Sequence, residues 1–296
     1  MTAVSALAIR VIYPDARIVV LMDPPTHRAL ANAGAELLRF TESIVVPTAF
    51  QDPIFASRAI KVGLRETLAG DLLFLDSDTL LVRPFPDDLT TCRQAAMADD
   101  HWDRSGRPAL RLGLKVQGIY REAGWAPPAR YYNTGVIWLP DSPVVHRLCE
   151  RWRERWAEVR ALGRHNDQPA LNAAIADMPE SFRPLPGAYN VAVGPYPELI
   201  RTACIYHFWA ESTFDHAHAT TLLEHLVAHY RSTGELDERA IARARRRRLP
   251  WMRPVGVRRT WRAGAWGALA FVLGYSLLRR VGVIGQASHE RGPGER

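Results

Sequence analysis

The run Leu72-Leu73-Phe74-Leu75, followed at once by Asp76-Ser77-Asp78, narrows what this chain can fold into more than any other stretch of it. Consecutive large apolar residues of strand length make a strand buried on both faces, which needs layers of other structure above and below it. In open α/β sheets ligands bind beyond the carboxyl ends of the strands, and that is where this run delivers two carboxylates. Side chains alternate along a strand, so Asp76 and Asp78 are expected on one side with Ser77 on the other. Paired in that way they suit a divalent cation, because Mg2+ and Mn2+ take oxygen ligands, usually one or two carboxylates together with substrate phosphates. The competing expectation is a strand that ends in a solvated acidic turn, since Asp is a common turn former. The continuation Leu80-Leu81-Val82 favours the first.

Flanking segments supply the layers. A helical pattern runs to about Val11, residues 17–23 read as a buried strand ending in a carboxylate, 26–35 as a helix, 42–46 as a short strand and 57–68 as a helix feeding the acidic strand. Residues 94–98 and 136–139 are strand candidates. Residues 142–162 form a long helical pattern in which Trp152 and Trp156, four apart, are expected in the core or at an interface. Strands alternating with helices predict an α/β protein with a mostly parallel, doubly covered sheet. A length of 296 residues with 47% hydrophobic content suits one large domain or two small ones. Cys92, Cys149 and Cys204, odd in number and widely spaced, form neither a disulfide framework nor a zinc knuckle. The N-terminus lacks the basic region of a secretory signal, so a cytosolic, reducing location is expected.

Further segments carry chemistry when taken together. Ser57-Arg58-Ala59-Ile60-Lys61 places cations one helix upstream of the acidic strand, where a diphosphate leaving group could be neutralised. Tyr131-Tyr132-Asn133-Thr134-Gly135-Val136 sets a small polar turn ahead of a strand, with an Asn amide that both donates and accepts. Asn166-Asp167-Gln168-Pro169-Ala170-Leu171-Asn172 opens a helix, and an Asp there also suits the role of a simple cap. Ile205-Tyr206-His207-Phe208 puts a His in an apolar strand-like segment, which fits either a core residue or a ligand.

In this order the segments resemble the GT-A glycosyltransferases, most closely the retaining enzymes of glycosyltransferase family eight and their nucleotide-diphospho-sugar transferase relatives. The matching pieces are Lys61, Leu75-Asp76-Ser77-Asp78, Asn133-Thr134-Gly135-Val136, Asp167-Gln168-Pro169-Ala170-Leu171-Asn172 and His207-Phe208, spread over residues 1–215. The resemblance implies a GT-A fold, Rossmann-like, with a mostly parallel central sheet and flanking helices. It implies a metal site of Asp76, Asp78 and His207 for Mn2+ or Mg2+. Arg58, Lys61, Asp76 and Asn133 would bind the donor and its diphosphate, and Asp167 and Gln168 would position the donor sugar at the catalytic centre. Asp99 or Asp100 would reach the same cleft. The implied reaction moves a sugar, with retention, from a nucleotide-diphosphate sugar, UDP-sugar expected, to a saccharide or lipid-linked acceptor. The family's opening strand, which grips the nucleotide base, has no counterpart here: the chain is expected to start inside the following helix.

Charge divides the chain. Residues 239–280 hold twelve arginines and no Asp, Glu or Lys, so the first 238 residues carry −5 although the whole carries +7. Interleaved Trp251, Trp261 and Trp266, and the apolar run 263–278, argue for an anionic membrane surface over nucleic acid. As a helix that run spans about 24 Å, short of the ~30 Å hydrocarbon core, which suits lying in one leaflet; packing on the body or on a partner is the competing expectation. The expected organisation is a catalytic domain over 1–232, a basic linker or helix over 233–262, a membrane-associated segment over 263–284 and a flexible tail over 285–296, in a cytoplasmic protein held peripherally at the inner face of the membrane. Two rival functions share the sheet and the acids: a nucleotidyltransferase, whose Gly-rich phosphate loop is not visible, and an inactive membrane-attached scaffold.

Overall fold

Prolines and acidic caps set where the first helices begin. In the computed structural model, which describes residues 1–86, 88–100, 110, 112–192, 202–208, 222–245, 270 and 273, α1 (Thr2–Ile12) leads into β1 (Val19–Met22), and α2 (Pro24–Asn32) starts on Asp23, whose carboxylate accepts from Thr26 N at 2.9 Å. After α3 (Leu37–Phe40) and β2 (Glu42–Val45), α4 (Pro53–Val62) starts on Asp52, which accepts from Ile54 N and Phe55 N at 2.8 and 3.1 Å. The Asp-Pro pair starts this helix four residues earlier than the apolar period predicts, since Pro fits the first turn and Asp satisfies its free N–H groups. Gly63 ends it, so the predicted single helix is α4 followed by a short α5 (Leu64–Thr67). The chain continues through β3 (Leu72–Leu75), β4 (Thr79–Leu81), β5 (Ala95–Ala98), α6 (Leu114–Glu122), β6 (Val136–Leu139), α7 (Pro143–Ala161), α8 (Gln168–Asp177), β7 (Phe182–Leu185) and β8 (Ile205–His207).

The central sheet runs β3-β6-β5-β7, and it is mixed where the sequence predicted mostly parallel. β6 lies antiparallel to both β3 and β5, and only β5 and β7 run parallel within it; β1 and β2 form a separate parallel pair. A strand covered on both faces is continuously apolar whichever way its neighbour runs, so β6, buried throughout, carries no mark of its direction; β3, expected to be buried on both faces, is only half-buried along its length. Alternation sorts the two faces. Ala95, Met97, Ile137 and Leu139 pack with Leu148, Trp152, Trp156 and Leu171 of α7 and α8, while Ala96, Ala98 and Trp138 pack with Leu89, Leu185 and Tyr189 on the other side. Trp152 and Trp156 are therefore core residues, as expected.

These elements belong to one compact unit, Met1–Val191 with Thr202–His207; the second is Ala192–Arg201 with Phe208–Arg296. The second unit holds α9 (Leu222–Thr233) and α10 (Glu238–Arg245), joined through Gly234 at φ 75. His225 Nε2 bonds Asp237 Oδ2 at 2.8 Å, and Asp237 Oδ1 accepts from Ala240 N at 2.9 Å to begin α10. Within the stretch 233–262, expected as a basic linker or helix, Glu238–Arg245 is helix. Among the described residues no helix is long and apolar enough to cross a membrane; the apolar segment 263–284 lies, but for residues 270 and 273, outside them.

Candidate functional site

Asp76 and Asp78 do not sit on the strand. β3 ends at Leu75, and a tight turn follows in which Thr79 N and Thr79 Oγ1 both donate to the Asp76 carbonyl, at 3.0 and 2.7 Å. Strand alternation is therefore not what gathers the carboxylates; an i to i+3 turn does it, by folding residue 78 back beside residue 76. Beyond the turn β4 pairs antiparallel with β8, and the register sets Thr79 opposite His207. One ligand atom from each of Asp76, Asp78 and His207 lies within 4.8 Å of the others. Asp78 Oδ1 faces His207 Nε2 at 3.3 Å, with His207 buried and the Asp78 side chain 31% exposed. Burial alone would raise the Asp78 carboxyl, but the hydrogen bond and charge of His207 outweigh it and hold it below the usual carboxylate range.

Cations stand behind this cluster. Lys61, buried on the last turn of α4, places Nζ 3.1 Å from Asp76 Oδ1, 3.4 Å from Asp167 Oδ2 and 3.3 Å from Thr134 Oγ1, with the Phe74 ring centroid 4.8 Å away. Arg58, one helical turn earlier, brings Nε to 3.2 Å from Asp167 Oδ1. Although Asp167 opens α8, its side chain makes no capping bond; it is turned inward between two cations. Its burial, the largest influence, would raise the carboxyl, and Lys61 and then Arg58 overcome this and keep it low. Gln168 lies against Thr134, whose N and Oγ1 are 3.4 and 3.5 Å from Gln168 Oε1. Asn172 braces the same turn, accepting from Tyr132 N at 2.7 Å and donating to Tyr132 O at 2.9 Å.

Asn133 spends its amide inside the protein, donating to Asp100 Oδ1 at 2.7 Å and accepting from Gly135 N and Asn190 Nδ2, each at 2.8 Å. Asp99 is paired with Arg130 instead. Gly135 packs its Cα against the imidazole of His207 so closely that any Cβ there would overlap the ring. Asn190 was not visible as a site residue from the sequence; the only signal was a polar side chain between the buried Tyr189 and Val191. A cavity of ≈ 580 Å³ opens against Arg58, Lys61, Asp76 and Ser77 and is walled by apolar side chains including Tyr13, Leu21, Leu73 and Phe85. Burial pushes the Cys149 thiol up to about 12, which disfavours the thiolate.

The donor set has a clear chemical preference. Carboxylate oxygens favour Mg2+, Ca2+ or Mn2+, and the added imidazole nitrogen moves the preference away from Mg2+, whose shell is made of oxygen. The carboxylates and imidazole converge from the turn after β3 and from β8, and the exposed side of Asp78 leaves room for further ligands. Residues and geometry fit a divalent ion.

Comparison with known proteins yields structures only. No family model matches the chain, and no curated protein matches it. Among solved structures it is similar to mouse xyloside xylosyltransferase 1 in its apo form, at 14% identity and a TM-score of 0.43, covering 72% of this chain and 93% of that one. The glycosyltransferase GlyE of Streptococcus pneumoniae TIGR4 matches at 14% identity and 0.42, over 73% of this chain and 52% of its own. The galactosyltransferase LgtC, solved with donor and acceptor sugar analogues, matches at 17% identity and 0.41 over 98% and 93%. Likeness at these scores assigns no activity; the residues of the site carry that weight.

Proposed function

We propose that this chain is a metal-dependent glycosyltransferase that moves a sugar, with retention, from a nucleotide-diphosphate sugar to a saccharide or lipid-linked acceptor. One observation carries the reading: Asp76, Asp78 and His207 converge within 4.8 Å while Lys61 stands 3.1 Å from Asp76. That is a site for an ion and a diphosphate side by side. Asp76, Asp78 and His207 would hold Mn2+, or less suitably Mg2+, and the ion when bound supplies Lewis-acid neutralisation of a departing diphosphate.

The chain's own residues do the rest. Arg58 and Lys61 line the cavity beside Asp76 and offer positive charge where leaving-group charge develops. A Lys already held by two carboxylates has little reorganisation left when an anion arrives. Asp167 and Gln168, fixed against Lys61 and Thr134, position the donor sugar. The apolar walls of the cavity suit the uncharged part of a nucleotide, with UDP the expected donor group. The basic, tryptophan-bearing residues 239–280 would hold the enzyme peripherally at the cytoplasmic face of an anionic membrane, where lipid-linked acceptors lie.

Calorimetric titration of UDP and UDP-sugars with and without Mn2+, repeated on Asp76→Asn/Asp78→Asn, is the test. Metal-dependent binding that the double variant loses is the expected result. Well-folded protein that binds no nucleotide in either condition sinks the reading.

A further inference from the structure

The hydrogen bonds behind His207 have a direction that can be read without placing a single side-chain hydrogen. Gly135 N–H is a backbone donor, so the Asn133 atom that meets it at 2.8 Å is oxygen. The other end of that amide is then nitrogen, and it meets a carboxylate oxygen of Asp100 at 2.7 Å, as it should. Asn133 Oδ1 also meets the Asn190 amide at 2.8 Å, and an oxygen there can be met only by nitrogen. Asn190 therefore turns its oxygen to His207 Nδ1, 2.9 Å away, and an oxygen must be met by N–H. Asp100, Asn133, Asn190 and His207 are all buried, so water does not offer the relay another polarity.

We infer that Asn190 is a positioning residue, and that the relay from Gly135 N–H and Asp100 through Asn133 and Asn190 fixes His207 as the tautomer protonated at Nδ1. The consequence falls on the far side of the ring. With the proton committed to Nδ1, Nε2 turns its lone pair toward Asp78 Oδ1, 3.3 Å away. Two acceptors facing each other at that distance need a cation between them, either a second ring proton that makes the imidazolium or a metal ion in its place, so the relay leaves Nε2 as the ring atom open to a metal. In water a neutral imidazole prefers its proton on the other nitrogen, and an acceptor held against Nδ1 reverses the choice. The relay also explains why the turn is Asn-Thr-Gly: Asn133 sets the polarity, while Gly135 supplies the N–H that fixes it and the bare Cα on which the ring rests.

This inference rests on reading Asp76, Asp78 and His207 as metal ligands, and its test separates the two. The first measurement needs no variant. Histidine-labelled full chain, at a pH where imidazoles are neutral and with no metal added, is assigned at His207 by its loss in His207→Gln, and the cross-peak pattern between ring nitrogens and carbon-bound protons is recorded. The Nδ1–H pattern is expected, and an Nε2–H pattern overturns the relay whatever the metal does. In the second, Mn2+ affinity is titrated for the wild type, Asn190→Leu and Asn133→Leu, with folding followed by circular dichroism. Both variants should lose affinity about 10–100-fold, although neither removes a ligand, and His207 should lose its Nδ1–H signature in each. Folded Asn133→Leu that binds Mn2+ like the wild type and keeps that signature overturns the relay. Wild type that binds no Mn2+ yet shows Nδ1–H keeps the relay and removes the metal reading instead.

Discussion

Lys61 stands between Asp76 and Asp167 at 3.1 and 3.4 Å, and Arg58 reaches Asp167 from the other side at 3.2 Å. Asp167 is thus a buried carboxylate whose charge is matched within the chain, and its lowered carboxyl has a consequence for stability. A group depressed in the folded state stabilises above its unfolded pKa of about 3.9 and stops doing so as pH falls through the folded value. Asp167→Asn should therefore destabilise by about 2–3 kcal/mol at pH 7, and the gap between the urea midpoints of variant and wild type should narrow as pH falls below about 3.9 and close only below the folded value. An equal gap at both ends of the range would mean that shape rather than charge holds this position. Lys61, Asp76, Asp78 and His207 were all legible in the sequence as residue types in a particular order. The reason given for the acidic pair was not: alternation along a strand is a period-two rule, and a four-residue turn has no such period. Asn190 was illegible, because a lone Asn between apolar neighbours looks the same whether it relays a hydrogen bond or fills a loop.

At the level of elements, α7 and α8 fix the site from the core side. Trp152, fully buried on α7, donates its indole N–H to the Asp167 carbonyl at 3.0 Å. Trp152→Phe keeps most of the apolar contact and removes one of two donors to this carbonyl, which still accepts from Leu171 N at 3.1 Å, at a cost of about 0.5–1.5 kcal/mol. In addition to that loss, measured by chemical denaturation, the variant should weaken nucleotide binding by loosening the first turn of α8. A variant as stable and as tight as the wild type would show that α8 is held elsewhere. The helical period and the spacing of the tryptophans made α7 readable almost to the residue, 142–162 expected against Pro143–Ala161 observed. Strand direction was not readable. β6 is antiparallel to both its neighbours, and the residues that could have declared it, Val136 to Leu139, are buried on both faces.

Over the whole molecule charge is the dominant asymmetry, with twelve arginines in residues 239–280 against a net −5 before them. Attraction to an anionic surface is screened within a Debye length of about 8 Å at physiological ionic strength, at about 1 kcal/mol per basic residue near the surface. The full chain should therefore co-sediment with vesicles containing phosphatidylserine and not with pure phosphatidylcholine. Raising salt from 50 to 300 mM, both on the order of common assay conditions, should release most of it if charge dominates. Retention at high salt would assign the larger share to the apolar run 263–278. Binding to neither kind of vesicle would return that run to packing against protein.

Gly135 has a genetic consequence. It ligates nothing, so a comparison restricted to the acidic pair and the histidine would pass over it. Yet every glycine codon is one base from alanine and from valine, and each of these needs the space that the His207 ring occupies. A descendant gene carrying one such change would keep Asp76, Asp78 and His207, the cations of α4 and the buried core, and would encode a copy with a displaced His207 ring whose sequence looks intact. In a lineage where enzymes and their retired duplicates coexist, position 135 is where to look first for the difference.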